Sequence, residues 1–232
     1  MINFFSIDTV FFTVMEYPMS YLEFFGTILN IWCVWLVARN KILNWPVGIV
    51  AVVLFMLLFF QIQLYSDFLE QIYFLVTGFY GWWVWSKRGT KDGQKISIDT
   101  KIRWSNLKIR IWIGTIVVFG TLALGAFISN IHIYFPSIFV LPASFPYLDA
   151  LTTVMSFVAT ILLVYHRIEA WVLWIIVDII GIWLYFVKDV KFISLLYCIF
   201  LVLATKGLIT WYLLWRKHRQ LKTNTAQRPG LS

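Results

Sequence analysis

Charge is scarce in this chain. Asp, Glu, Lys and Arg make up 13% of its 232 residues, against about a quarter in a typical soluble domain. So few charges cannot keep a surface of that size in water, which excludes an ordinary soluble enzyme. Cysteine is limited to Cys33 and Cys198. Both lie in apolar stretches, where they read as small buried hydrophobes and imply neither a disulfide framework nor a metal site. The first 20 residues hold no Lys or Arg, so the positive n-region of a secretory signal peptide is missing. What fills the chain instead is apolar: 61% hydrophobic and 19% aromatic, with a mean hydropathy of +0.81. That composition belongs to a polytopic membrane protein, and the net charge of +8 then points to cytoplasmic loops rather than to nucleic acid.

A membrane-crossing helix needs about 20 mostly apolar residues. Breaking the chain at charges and turn residues gives seven: 20–38, 44–62, 68–86, 109–129, 147–165, 170–187 and 192–214. Residues 1–19 are aromatic but too short to cross, and are expected to form an interfacial helix. Pro46 stands at the start of the second span, where its missing N–H costs least. Sixteen Lys and Arg fall in or directly beside the loops after spans one, three and five and in the tail after span seven, eight of them from Lys87 to Arg110. The opposite side carries only Lys188 and Lys191, beside Asp189, while Lys206 lies within a span. The asymmetry puts the N-terminus outside and the C-terminus in the cytoplasm.

Displaced by 126 residues, the first three spans align with the last three without a gap. Tyr21-Leu22 meets Tyr147-Leu148, Glu23 meets Asp149, Lys41 meets Arg167, Trp45 meets Trp171, Ile49 meets Ile175, Gly81 meets Gly207, and Trp85 meets Trp211. Two adjacent units of three spans would be inverted relative to each other; one extra span between them makes them parallel. The fold class is therefore an all-α membrane protein of seven helices in a 3+1+3 parallel repeat, the pattern of transporters that hold substrate near the midplane between halves. Its segments are 1–19 (interfacial), 20–86 (first repeat), 87–108 (basic cytoplasmic loop), 109–129 (linking helix), 130–146 (external loop), 147–215 (second repeat) and 216–232 (basic cytoplasmic tail).

Ionisable residues inside a span are functional candidates by default. Asp178 sits at the middle of span six and shares a helical stripe with Trp171, Trp174 and Tyr185. An acid flanked by aromatic faces suits a flat organic cation. Trp171, at the span end, also suits an interfacial anchor. Lys206 lies at comparable depth, so an Asp178–Lys206 ion pair is the competing reading of the acid. Tyr73, Thr77 and Tyr80 form a stripe on span three, and Gln61, Gln63 and Gln71 lie nearby. Amides and hydroxyls of this kind bond a sugar or carboxamide, or else bond helix to helix. Glu23 and Asp149 are placed to cap helix N-termini.

The run Trp45-Pro46-Val47-Gly48-Ile49, Phe59-Phe60-Gln61-Ile62-Gln63-Leu64-Tyr65, Gln71 and Tyr80-Gly81-Trp82 resembles the PnuC family of bacterial vitamin transporters. So does a second run, Leu148-Asp149, Ser156 and Glu169-Ala170-Trp171-Val172-Leu173-Trp174. The similarity extends from about residue 20 to about 215. It implies a fold related to the SWEET sugar transporters, a homotrimer in the bacterial inner membrane, and import of nicotinamide riboside, an NAD precursor, by facilitated diffusion with alternating access. Phosphorylation in the cytoplasm would trap the vitamin. The ligand-facing set it suggests comprises Trp174, Tyr80, Tyr185 and Tyr197 around the ring, Gln61 and Thr77 on the sugar or amide, and Asp178 on the charge, with Trp171 and Tyr73 beside them. The chain departs from the family's frequent Asn at Ala51, Gly78 and Asp178, which leaves another vitamin such as thiamine as an alternative substrate.

Two other classes fit less well. A retinal protein would use Lys206 for a Schiff base, but spans one and three hold no mid-membrane acid and the repeat serves no purpose there. A membrane enzyme needs paired acids, a Ser–His pair or an HExxH helix. His132, His166 and His218 instead fall in loops or the tail, so no catalytic site and no cofactor are expected. The partners expected are the vitamin, the bilayer and further copies of the chain, with no nucleic acid.

Overall fold

A computed structural model describes residues 4, 6–7, 9–14, 17–61, 65–87, 90–91, 94–95, 102–135, 144–187 and 191–226. Side chains are described for all of these except 65–66, 90–91, 94–95, 191–192 and 222–226. A hairpin of β1 (Val10–Val14) and β2 (Tyr17–Ser20) leads into α1 (Tyr21–Ala38), α2 (Asn44–Gln61) and α3 (Tyr65–Lys87). A short pair, β3 (Thr90–Lys91) and β4 (Gln94–Lys95), precedes α4 (Leu107–Ser129) and the single turn α5 (Ile131–Tyr134). Then come α6 (Pro146–Val164), α7 (Glu169–Val187) and α8 (Lys191–Ala226).

Six of these helices, α1, α2, α4, α6, α7 and α8, are long and apolar enough to cross a membrane, so the chain is a multi-pass membrane protein. The third expected span is the exception. With 23 residues α3 has the length, but Asp67, Glu70 and its run of Tyr and Trp lower its hydropathy. At the far end α8 outruns its expected limit of 214. Its 36 residues reach about 54 Å at 1.5 Å per residue, well beyond a hydrocarbon core of about 30 Å. The extension carries the first basic residues of the tail.

The N-terminal expectation is corrected. Residues 10–14 and 17–20 pair as antiparallel strands and form no helix, because Val, Phe, Thr and Val favour a pleated strand and Pro18 cannot continue a helix. Phe11 contacts Tyr21, Phe24 and Phe25, with ring centroids 4.6, 5.1 and 6.2 Å away. Ser20 is then the N-cap of α1 in a capping box. Its hydroxyl accepts from Glu23 N (3.3 Å) and its own N–H donates to Glu23 Oε2 (2.8 Å). Glu23 thus caps a helix as its position suggests, and it also accepts from the Tyr17 hydroxyl. Partial burial, with help from Glu23, pushes the Tyr17 phenol up to about 12. Ser20→Ala is expected to cost about 1 kcal/mol, measured as a lower unfolding midpoint of the detergent-purified protein.

Two compact units make up the chain, residues 1–102 with 206–232, and residues 103–205. In the first, α1 packs on α2 and α2 on α3. Trp45 and Trp85 meet edge to face at 5.4 Å, and Trp211 Nε1 donates to Val37 O (3.3 Å). In the second, α4 packs on α6 and α6 on α7, with Tyr147 lying over Gly125 and Val154 against Gly120. The segment before α4 fastens to the α6–α7 turn. Arg103 N donates to His166 O (3.1 Å), Ile168 N to Arg103 O (3.2 Å), and Ser105 N and Arg110 Nε both donate to Glu169 Oε1 (2.7 and 3.0 Å).

The α1–α2 and α6–α7 turns are built alike. Asn40 and His166, 126 positions apart, are the non-glycine residues with positive φ among the described residues, at 55° and 54°. Asn40 N donates to Val37 O and Lys41 N to Leu36 O (2.8 and 2.9 Å), as His166 N does to Leu163 O and Arg167 N to Leu162 O (3.0 and 2.9 Å). Each is a helix ended by a left-handed residue that satisfies the last carbonyls. Four cations also lie over tryptophan rings. Arg39 over Trp35, Lys87 over Trp83, Arg110 over Trp104 and Arg219 over Trp215 stand 4.2, 4.1, 5.3 and 5.6 Å from the ring centroids. Trp with Lys or Arg is the composition of a membrane–water boundary.

Candidate functional site

The nine candidate residues divide between the two units. Gln61, Tyr73, Thr77 and Tyr80 belong to the first; Trp171, Trp174, Asp178, Tyr185 and Tyr197 belong to the second.

In the second unit four of the candidates lie on α7 and the fifth, Tyr197, on α8, which meets α7 at Gly181, Ile182 and Tyr185. Asp178 is 3% exposed, and no hydrogen bond or ion pair to it is formed among the described residues. It is also the only charged residue of α7 after Glu169. Helical spacing sets Trp174 one turn before it and Gly181, Ile182 and Tyr185 within two turns after it. From α8, Tyr197 stacks on Tyr185 with ring centroids 5.3 Å apart and planes 20° from parallel. Its ring lies on Gly181, and one turn earlier the Ser194 hydroxyl donates to Ile182 O (2.9 Å). The result is a buried carboxyl with a tyrosine stack one to two turns along the same face. Trp171, at 1% exposure, is sealed at the beginning of α7, which suits an anchor better than a mobile wall. Lys206 lies in the other compact unit from Asp178.

The first unit separates what the sequence grouped. Thr77 is buried, and its hydroxyl donates to Tyr73 O (2.8 Å) and Phe74 O (3.2 Å) of its own helix. The hydroxyl proton is therefore occupied while the oxygen can still accept. Tyr80 does not share that side. It is 39% exposed and stacks on Trp83, on the face of α3 that also exposes Val76 and Phe79. The inward face runs through Thr77, Gly78, Gly81, Val84 and Trp85, and Tyr80, about a sixth of a turn from Thr77, falls outside it. Gln61 is engaged at both ends of its amide. Oε1 accepts from Ile7 N (3.1 Å) and Nε2 donates to Leu57 O (3.2 Å). Gln63 lies outside the described residues. Among the described residues no group of His, Cys, Asp and Glu could hold a metal ion.

Gly181 is the functional candidate that sequence reasoning missed. The signal was available: a glycine three residues after a mid-span acid, on its face. Asp178 drew attention as a charge, whereas a glycine becomes legible only when its partner ring is known.

Comparison with known proteins follows the same lines. A family model described as nicotinamide mononucleotide transporter matches residues 20–213. The nicotinamide riboside transporter PnuC of Escherichia coli (strain K12) is 32% identical over 211 residues, covering 84% of this chain and 86% of the relative. The protein of the same name from Neisseria mucosa is 27% identical and the riboflavin/roseoflavin transporter RibM of Streptomyces davaonensis 23%, covering 87% and 89% of this chain and 75% and 91% of the relatives. Among solved structures, the crystal structure of the vitamin B3 transporter PnuC is similar, with a TM-score of 0.64 at 24% identity. It covers 85% of this chain and 83% of that one.

Proposed function

The chain belongs to the nicotinamide mononucleotide transporter family, and from that membership we propose that it is a carrier importing nicotinamide riboside by facilitated diffusion with alternating access. Close relatives by sequence carry that substrate in their names. The observation that favours a cationic vitamin here is Asp178, a buried carboxyl without a basic neighbour on its helix, one to two turns from a tyrosine stack. The riboside carries one positive charge on a flat pyridinium ring, which such an acid and such rings favour. The mononucleotide adds a phosphate, whose negative charge the acid repels. Riboflavin is uncharged and gains nothing from the carboxylate.

The architecture that supports this function counts α3 as a seventh span and reads the whole as a 3+1+3 parallel repeat, related to the SWEET transporters, with α4 as the link. The matching turns at Asn40 and His166 and the paired tryptophans 45/171 and 85/211 support the repeat. The two three-helix halves rock about a midplane site. The basic residues put the loop 87–108 and the tail in the cytoplasm and the N-terminal hairpin outside, in the inner membrane of a bacterium. The carrier works as a homotrimer with one route in each copy. It performs no catalysis, and a separate cytoplasmic phosphorylation makes import one-way.

Competition in proteoliposomes tests the specificity. Labelled nicotinamide riboside is expected to enter, with unlabelled nicotinamide mononucleotide and thiamine leaving its uptake unchanged. Uptake of thiamine alone would move the substrate while keeping the family, and would place specificity on Ala51, Gly78 and Asp178.

A further inference from the structure

The α7–α8 contact in the second unit is closer than two ordinary side chains allow. A Cβ built on Gly181 would stand 2.5 Å from Tyr197 Cδ1, 2.6 Å from Cε1 and 2.9 Å from Cγ. Three ring atoms of one tyrosine thus occupy the volume that any larger residue would need. That ring is fixed from two further sides: Tyr185 stacks on it, and Phe200 meets it edge-on with centroids 6.3 Å apart. The Ser194–Ile182 hydrogen bond pins the helix pair one turn away, so α8 cannot slide to accommodate a side chain at 181. Asp178 is one turn from Gly181 on the same helix and is buried.

Glycine weakens a helix interior by about 1 kcal/mol relative to alanine, so its presence here implies a use. Close helix packing alone would be one. Yet the group seated in the gap is no aliphatic knob but a stacked phenol, and the charge candidate of the site lies one turn off.

We infer that Gly181 is a positioning residue for the substrate: by lacking a side chain it seats the Tyr197 ring flush on α7, at the height and tilt from which a flat cation can lie against the ring while its charge meets Asp178. The inference rests on the reading of Asp178 as the substrate's counter-charge. A methyl group at 181 would lift the ring, part it from Tyr185 and narrow the space beside the acid. A single well-placed ring contact is worth about a three- to tenfold change in affinity.

The test is initial-rate uptake of nicotinamide riboside into proteoliposomes by wild type, Gly181→Ala and, as a control, Gly114→Ala, whose added Cβ meets nothing within 4 Å. Unfolding midpoints are measured in parallel. Gly181→Ala is expected to raise KM about three- to tenfold, with maximal rate held near wild type, the unfolding midpoint lowered by the crowded ring, and Gly114→Ala unchanged. A wild-type KM in folded Gly181→Ala overturns the inference. So does a loss of maximal rate and stability without a change of KM, which marks a packing glycine. Should Gly181→Ala fail to fold, Tyr197→Leu on the native glycine removes the ring without crowding α7; the same rise in KM supports the inference and an unchanged KM overturns it. If wild type itself takes up no nicotinamide riboside, the functional reading fails and this inference falls with it.

Discussion

Asp178→Asn is expected to raise KM for nicotinamide riboside by about ten- to a hundredfold, the worth of one charge-assisted contact of about 1.5–3 kcal/mol. The amide keeps the volume and hydrogen-bonding reach of the carboxyl but carries no charge. It therefore leaves folding intact, because Asp178 forms no hydrogen bond or ion pair among the described residues that the change could break. Replacing an acid that is buried without a partner can even stabilise the unloaded protein. Uptake kinetics alongside an unfolding midpoint separate the two effects: affinity falls while stability holds or rises. Unchanged kinetics in a folded Asp178→Asn protein would remove the carboxylate from the site.

The largest effect on folding is expected at Gly81, in the first unit. A Cβ there runs into Cη2, Cζ3 and Cζ2 of Trp45, the far edge of the indole, closer than a real Cβ contact permits. Trp45 is itself buried and braced edge-on by Trp85, which is 1% exposed. Gly81→Ala is expected to cost about 1–3 kcal/mol, the usual penalty of an overfilled core, and Gly81→Leu to abolish folding. Gly114→Ala, in open space on α4, is expected to be neutral or to gain up to about 1 kcal/mol from helix propensity alone. Yield and unfolding midpoint after detergent extraction check the pair. Equal behaviour of the two alanine variants would contradict the tight α2–α3 contact.

Composition and spacing carried the helices because the bilayer demands one thing of every span, an apolar run of fixed length. Residues 44–62, 109–129 and 170–187 were legible for that reason, as was the fastening of a helix start by Glu23. What escaped depended on partners far away in sequence. The strand-forming residues near the N-terminus were read as an interfacial helix, since aromatic content alone does not distinguish a hairpin from a helix. Tyr80 was placed beside Thr77 by counting three residues, yet the packed side of α3 follows its small residues, Gly78 and Gly81, and turns Tyr80 outward. The amide of Gln61 looked available until Ile7, 54 residues earlier, was found bound to it. Asp178 was legible because an acid in a span announces itself, whereas Gly181 beside it was silent until Tyr197 was seen against it.

The central claim is carriage of nicotinamide riboside down its gradient, and a time course in proteoliposomes without any ion gradient tests it most directly. The account predicts entry far faster than into protein-free vesicles, levelling off when the inside concentration equals the outside. Entry no faster than into protein-free vesicles would contradict the substrate, and accumulation above the outside concentration would contradict facilitated diffusion.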